Sequence, residues 1–114
     1  MKSWTYTAVA FAQLFLLTMC VAQAQAGGAK NQGESLFKAN CILCHGEDGT
    51  GNTPAGTALG AHNLTSPEFA KKTDAELIHT ISNGKEKMPS FGKKLSDMEI
   101  QALVAYIREI ENKH

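Results

Sequence analysis

Two thiols and an imidazole are grouped within five residues of this chain, in the run Cys41-Ile42-Leu43-Cys44-His45. Thiols three positions apart lie on one face of a helical turn, where each can form a thioether to one vinyl group of a haem. The Cys-x-x-Cys-His pattern is typical of covalent haem attachment, and histidine is a common axial ligand of haem iron. We therefore predict one covalent haem c, held by Cys41 and Cys44, with His45 bound to its iron.

Three other chemistries use two cysteines at this spacing. A thioredoxin-like redox pair requires a strand-helix-strand context, which the sequence does not show. A zinc site requires further ligands, usually a second Cys/His pair, and His62 and His79 do not form one. A disulfide across two intervening residues would organise little of the chain. The sequence favours haem attachment over all three.

The first 26 residues are predicted to be a secretory signal peptide. A largely apolar stretch over residues 8–21 is followed by two A-x-A sites, at 22–24 and 24–26, and we expect cleavage before Gly27. The alternatives are a retained membrane anchor and a lipid anchor on Cys20. Cleavage would leave a monohaem domain of residues 27–114 with only the two motif cysteines, in the periplasm or outside the cell.

The charge of the chain is balanced, with eleven Lys and Arg against eleven Asp and Glu. Such a balance gives no support for a nucleic-acid partner. A domain this small buries only a modest core, and a cofactor often completes it. We expect a monomer whose core includes the haem, without membrane contact unless the signal is retained as an anchor.

The elements that must position the motif are predicted to be helices. Residues 27–31 are predicted to be a frayed start, and an apolar face at helical spacing predicts a first helix over 33–44. The cysteines continue the buried stripe of this helix. Residues 46–61 contain five glycines and Pro54, and we expect them to form an irregular wrapping loop.

The second half of the chain carries three helix starts. Ser66 followed by Pro67 is an N-cap with proline at the first helical position. Capping boxes at 73–76 and 96–99 open two further helices, the last of which is expected to reach about Asn112. No segment shows the alternation of a strand, so the sequence predicts an all-α fold.

A second axial ligand is needed if His45 occupies only one side of the iron. Met88 follows a predicted helix end at 83–84, and Pro89 stiffens its approach. Met98 is expected to face solvent, because it lies opposite the apolar stripe of the last helix. His79 is on the polar side of its helix and His114 is at the chain end, whereas periodicity does not exclude His62. Sequence position alone therefore favours Met88 over these alternatives.

In combination, these motifs resemble the small bacterial class I c-type cytochromes over residues 31–111. The shared features, in order, are Gly33 and Phe37, Cys41 to His45, Asn63-Leu64, Asn83-Gly84, Met88-Pro89, and Leu103 with Tyr106. The resemblance implies the cytochrome c fold, in which short helices wrap around one covalently bound haem.

The resemblance also implies roles for individual residues. The first and last helices should cross with Gly33 and Phe37 against Leu103 and Tyr106. Met88 should be the second iron ligand. A backbone carbonyl from a proline region should accept a hydrogen bond from the iron-bound histidine, and Pro54 is the candidate.

The expected function is periplasmic transfer of one electron between redox partner proteins on a His/Met-ligated haem. Filled axial positions leave no path for a substrate to the iron, which predicts a carrier and not an enzyme. The alternative is a haem-bearing subunit or module docked to a larger dehydrogenase or oxidase, or a gas sensor or peroxidase. Four lysines near Met88, at 85, 87, 93 and 94, are candidates for a docking rim.

Overall fold

All regular elements of the structure, a computed structural model that describes residues 27–113, are helices. In chain order they are α1 (27–40), α2 (Ile42–His45), α3 (Pro54–Leu59), α4 (Pro67–Ala70), α5 (Asp74–Asn83) and α6 (Asp97–Glu111). Over this range, no helix is long and apolar enough to cross a membrane. The all-α prediction is confirmed, and the predicted signal peptide lies outside the described residues.

Helix α1 differs from its prediction at both ends. Residues 27–31, expected to fray, are helical, and Lys30 pairs with Glu109 of α6 at 3.0 Å. At the other end, the Asn40 side chain donates to the carbonyl of Leu36 at 2.9 Å. Side-chain bonds to the preceding turn compete with the helical backbone pattern. The helix stops at residue 40, and Cys41 forms a turn before α2.

Backbone hydrogen bonds carry the chain from α1 into α2 despite this interruption. Cys41 N donates to Phe37 O at 2.8 Å, and His45 N donates to Cys41 O at 2.9 Å. The position of α2 therefore depends on the packing of α1.

A close approach between α1 and α6 fixes that packing. A Cβ atom added to Gly33 would collide with the carbonyl oxygen of Ala102 and lie 2.9 Å from Tyr106 Cβ. One turn later, the Phe37 ring packs against Tyr106 with ring centroids 5.6 Å apart. The expected crossing of the first and last helices is therefore present, with Ala102 and Tyr106 as the nearest partners of Gly33.

The core is built on this crossing and extends across α6 to α5. It consists of buried apolar side chains from α1, α4, α5, α6 and the loops: Phe37, Leu64, Phe69, Leu77, Ile81, Leu95, Ile100, Leu103, Val104, Tyr106, Ile107 and Ile110. Phe37, Ile100 and Leu103 are the largest side chains that are fully buried.

Both predicted capping boxes are present. Thr73 accepts from Glu76 N at 3.2 Å, while Glu76 Oε2 accepts from Thr73 N at 2.7 Å. Ser96 and Glu99 repeat the arrangement at the start of α6, at 3.3 and 2.8 Å. These reciprocal bonds satisfy backbone donors that the first turn leaves unpaired, and they hold the carboxylate pKa of Glu76 and Glu99 below the usual value.

Helix α3 lies within the segment that the sequence analysis interpreted as irregular, and that interpretation was wrong for 54–59. Thr53 caps the helix by accepting from Gly56 N at 2.8 Å, and Pro54 occupies the first helical position. Gly60 ends it with φ 70°, a left-handed conformation that suits glycine. These start and stop signals were readable, but α3 contributes only one buried residue, Gly56, so it has no apolar period.

The Gly33 contact generates the first prediction. Gly33→Ala should lower the free energy of unfolding by roughly 1–3 kcal/mol, because the methyl group forces α1 away from Ala102. Urea unfolding followed by circular dichroism measures the change. Gly28→Ala is the control, since nothing lies within 4 Å of its added Cβ; this variant should be as stable as the parent or slightly more stable. Equal effects of the two substitutions would contradict the packing argument.

Candidate functional site

The three side chains of the sequence motif border one cavity. Cys41, Cys44 and His45 are each partly exposed and all line this central cavity. The two cysteines are free thiols, not a disulfide. The turn at Cys41 and the following helical turn therefore present both thiols and the imidazole to the same space.

The central cavity has two compartments, of about 130 Å³ and about 110 Å³. We call the first the outer compartment, because exposed residues such as Leu59 and Pro89 line it, and the second the inner compartment. Seven residues line both compartments: Cys41, His45, His62, Thr80, Lys85, Met88 and Phe91. The inner compartment is otherwise mainly apolar, lined by Phe37, Leu64, Phe69, Leu77, Ile81, Leu103 and Ile107. A flat, largely apolar group with reactive vinyl substituents and a metal centre fits this lining, because thiols, an imidazole and a thioether all border it.

The His45 ring is oriented by a main-chain carbonyl. Its Nδ1 lies 3.1 Å from the carbonyl oxygen of His62. Burial lowers the pKa of His45, while this hydrogen bond opposes the shift. A histidine that donates from Nδ1 to a carbonyl keeps Nε2 available as a metal ligand.

The predicted role of Pro54 is therefore corrected: the carbonyl at this position of the site belongs to His62. Pro54 is the first residue of α3, and carbonyls in a first helical turn point along the helix toward the amide four residues later. The segment that reaches His45 comes after α3 and leads to Leu64, whose amide donates to Gly49 O at 2.7 Å. The resemblance to c-type cytochromes suggested Pro54, but the fold of the loop decides the contact.

Met88 reaches the central cavity from a tight turn after α5. Lys85 N donates to Met88 O at 3.1 Å and Met88 N donates to Lys85 O at 2.8 Å, which closes the turn over Glu86, a residue with φ 54°. Gly84 precedes the turn with φ 75°, and a Cβ there would lie 2.6 Å from Met88 O. The backbone around Met88 is thus tightly specified.

Further bonds tie the following segment to the end of α5. Phe91 N donates to Ile81 O at 2.9 Å, and Gly92 N donates to Ser82 O at 3.0 Å. On the far side, the Lys94 ammonium donates to Asn40 Oδ1 at 2.6 Å. The segment that carries Met88 is therefore fixed to α5 and to the end of α1.

Of the competing sulfur and nitrogen candidates, Met98 and His79 do not line the central cavity, whereas His62 does. Met98 is 79% exposed, as predicted. His79 is also exposed, and its ring and carbonyl contact the Asn83 side chain. His62 lines both compartments, and its carbonyl contacts His45. His114 lies outside the described residues.

The cysteine environment differs from that of a catalytic redox pair. Burial, reinforced by the neighbouring Cys44, raises the pKa of the Cys41 thiol to about 11, although Lys94 opposes the shift. Reactive Cys-x-x-Cys motifs instead lower the pKa of the attacking thiol. Across residues 27–113 there is also no grouping of three His, Cys, Asp or Glu side chains suited to a metal ion.

Residues 28–107 match the model of the protein family described as cytochrome C oxidase, cbb3-type, subunit III. A curated relative, the cbb3-type cytochrome c oxidase subunit FixP of Azorhizobium caulinodans, is 39% identical over 84 residues. That alignment covers 72% of this chain but 27% of the relative. The chain thus spans about a quarter of the length of the oxidase subunits it matches.

Smaller relatives are matched over most of their length. Cytochrome c6 of Petalonia fascia is 31% identical over 87 residues, covering 68% of this chain and 87% of that protein. Among solved structures, the KustC0563 c-type cytochrome superposes with a TM-score of 0.65 at 37% identity. The superposition covers 69% of this chain and 96% of that structure.

The positions of the two methionines generate the second prediction. In the haem-loaded protein, Met88→Ala should abolish the weak long-wavelength sulfur–iron band of the oxidised form and lower the reduction potential, because the cavity loses its thioether. Met98→Ala is the control and should change neither. Visible spectroscopy and potentiometric titration measure both properties. The opposite pattern would make Met98 the ligand.

Proposed function

This chain belongs to the c-type cytochrome family described as cytochrome C oxidase, cbb3-type, subunit III, and from that premise we propose that it is an extracytoplasmic carrier of single electrons. Electron transfer and a covalent haem c follow from the family. The iron of haem c supplies one-electron chemistry by alternating between the ferrous and ferric states. Free diffusion of the carrier, its extracytoplasmic compartment and the roles of individual residues are proposed.

The proposal rests on one observation: the two thiols, the imidazole and the thioether that could hold a haem all line the same cavity. Cys41 and Cys44 would form the thioethers to the haem, and His45 and Met88 would bind its iron. His45 and Met88 each line both compartments of the central cavity. His45 belongs to α2 and Met88 to the turn after α5, so the folding of the chain would bring both side chains to the haem.

The chain orients and shields this pair of ligands. The His62 carbonyl holds the His45 ring through Nδ1, which fixes the ring plane and increases the electron donation of the imidazole. The apolar side chains of the inner compartment exclude water from the macrocycle, which favours the less charged reduced state. The Lys85–Met88 turn fixes the backbone from which the thioether extends.

Because His45 and Met88 would both bind the iron, we propose that the protein is not an enzyme by itself. A substrate or diatomic ligand would have to displace Met88, whose backbone is held by the bonds of its own turn and of the following segment to α5. Electrons would instead pass through the haem edge, where the outer compartment meets solvent. The outer compartment is lined there by Leu59, which is 45% exposed, and by the exposed Pro89.

A loose docking surface is proposed around this edge. Lys85 and Lys87 line the outer compartment and Lys93 is exposed nearby in sequence, while Glu86 dilutes the charge. Lys94 is also exposed but donates to Asn40. Basic side chains at a rim speed the encounter with an acidic partner without adding much affinity.

A docked oxidase subunit is the second candidate, favoured by the FixP and CcoP relatives. The two candidates differ in the native assembly. Gel filtration of haem-stained extracts from the native cells should place a carrier at the size of a single small domain, released without detergent. Co-elution of the haem protein with a terminal oxidase through several columns would instead establish the subunit.

The proposed ligand pair generates a prediction for carbon monoxide. The reduced protein should bind carbon monoxide slowly and incompletely at neutral pH, because Met88 must first leave the iron. Met88→Ala should bind it rapidly, and Met98→Ala should behave as the parent. Stopped-flow spectroscopy of the Soret band measures these rates. Rapid, complete binding by the parent would favour a gas sensor or peroxidase.

The docking surface generates a prediction on salt dependence. Oxidation of the reduced protein by anionic hexacyanoferrate(III) should slow as salt rises, since charges beyond about 10 Å are screened at 0.1 M. Replacing Lys85, Lys87 and Lys93 with Gln should flatten the dependence. The matched control replaces Lys30, Lys71 and Lys113, none of which lines the cavity. Equal flattening in both triple variants would remove the docking role.

A further inference from the structure

Lys72 is an unusual member of the inner compartment. Most of the residues around it are apolar, and Lys72 and Lys85 are the two lysines among the lining residues. Lys85 also lines the outer compartment, whereas Lys72 lines only the inner compartment. A cation at the border of an apolar space requires either water or an anionic partner.

The backbone of Lys72 is fixed from two sides. Its amide donates to Phe69 O at 3.0 Å, and its carbonyl accepts from the Arg108 guanidinium of α6. Arg108 is itself held by Asp74 at 2.9 Å and Glu111 at 2.7 Å. These backbone contacts therefore set the direction in which the Lys72 side chain extends from the main chain.

The ammonium group of Lys72 has no protein carboxylate as an ion-pair partner within residues 27–113. Hydrogen bonds from Thr73 lower the pKa of Glu76, and the positive charge of Lys72 adds to this effect. Glu76 Oε2 already accepts from the amide and the hydroxyl of Thr73. Residue 72 as a whole is exposed. A lysine of this kind lays its methylene stem along apolar surface and keeps the ammonium at the water boundary.

We propose that Lys72 binds a carboxylate of the haem at the border of the inner compartment. This inference rests on the proposed function. Haem carries two carboxylates at the periphery of an otherwise apolar ring, and their charge must remain near water or meet a cation. Lys72 offers that cation at the border of the space that the ring occupies. The ion pair would be a charge-assisted hydrogen bond, which is stronger than a neutral one.

The pair has a direct consequence for the reduction potential. Oxidised haem has one more positive charge than reduced haem, so a nearby ammonium favours the reduced state. Lys72 acts both by its own charge and by neutralising a carboxylate. Loss of the ammonium should therefore lower the potential.

The adjacent lysine provides a matched control. Lys71 is also exposed, but it lines neither compartment. Lys72→Gln and Lys71→Gln remove the same charge from neighbouring positions on the chain. Lys72→Arg keeps the charge and the long stem, and tests whether a cation is what position 72 requires.

The experiment uses holoprotein in which the haem carboxylates carry ¹³C, so that their infrared stretches can be identified. Reduced-minus-oxidised infrared difference spectra should show a shifted ¹³C-carboxylate band in Lys72→Gln and parental bands in Lys71→Gln and Lys72→Arg. Potentiometric titration should show a potential lowered at least threefold more by Lys72→Gln than by Lys71→Gln. Lys72→Arg should keep a reduction potential close to that of the parent.

The infrared and potential measurements can contradict the Lys72 assignment separately from the proposed function. Parental carboxylate bands in Lys72→Gln, or equal potential shifts at positions 71 and 72, would overturn the Lys72 assignment. Acid-acetone extraction of the parent tests the proposed function separately. Haem that enters the organic phase would refute thioethers at Cys41 and Cys44, whatever the infrared result.

Discussion

The absence of a side chain at Gly33 is the constraint on which the rest of this small domain depends. It allows α1 to approach the carbonyl of Ala102 and the Tyr106 side chain on α6, and Phe37 then packs on Tyr106. The backbone of Phe37 receives the hydrogen bond from Cys41 that leads into α2. The contact between α1 and α6 therefore determines where the two thiols and His45 lie at the cavity.

The sequence predicted those parts of the structure that depend on local chemistry. Capping boxes act through bonds within four residues, so Thr73 and Ser96 marked the starts of α5 and α6 correctly. The exposure of Met98 followed from helical periodicity. The cysteine motif identified the cofactor, since few other uses of two thiols and a histidine require that spacing.

The sequence failed where tertiary contacts or weak local signals decide. Helix α3 was missed because it has no buried apolar stripe, although Thr53 and Pro54 form a good start. The acceptor for His45 was assigned to Pro54 from the family resemblance, whereas the loop places the His62 carbonyl there. The end of α1 was set too late, because the chain forms a turn at Cys41 before it continues as α2. None of these features has a periodic pattern that would reveal it.

The contact between His45 and residue 62 is made by the main chain, and this has an evolutionary consequence. Any residue at position 62 supplies the same carbonyl, so a point substitution there changes the side chain without deleting the acceptor. Selection can therefore vary the exposed imidazole of His62 while the orientation of His45 is inherited from the path of the loop. Insertions or deletions between α3 and Leu64, not single replacements, are the changes that this part of the site would resist most strongly.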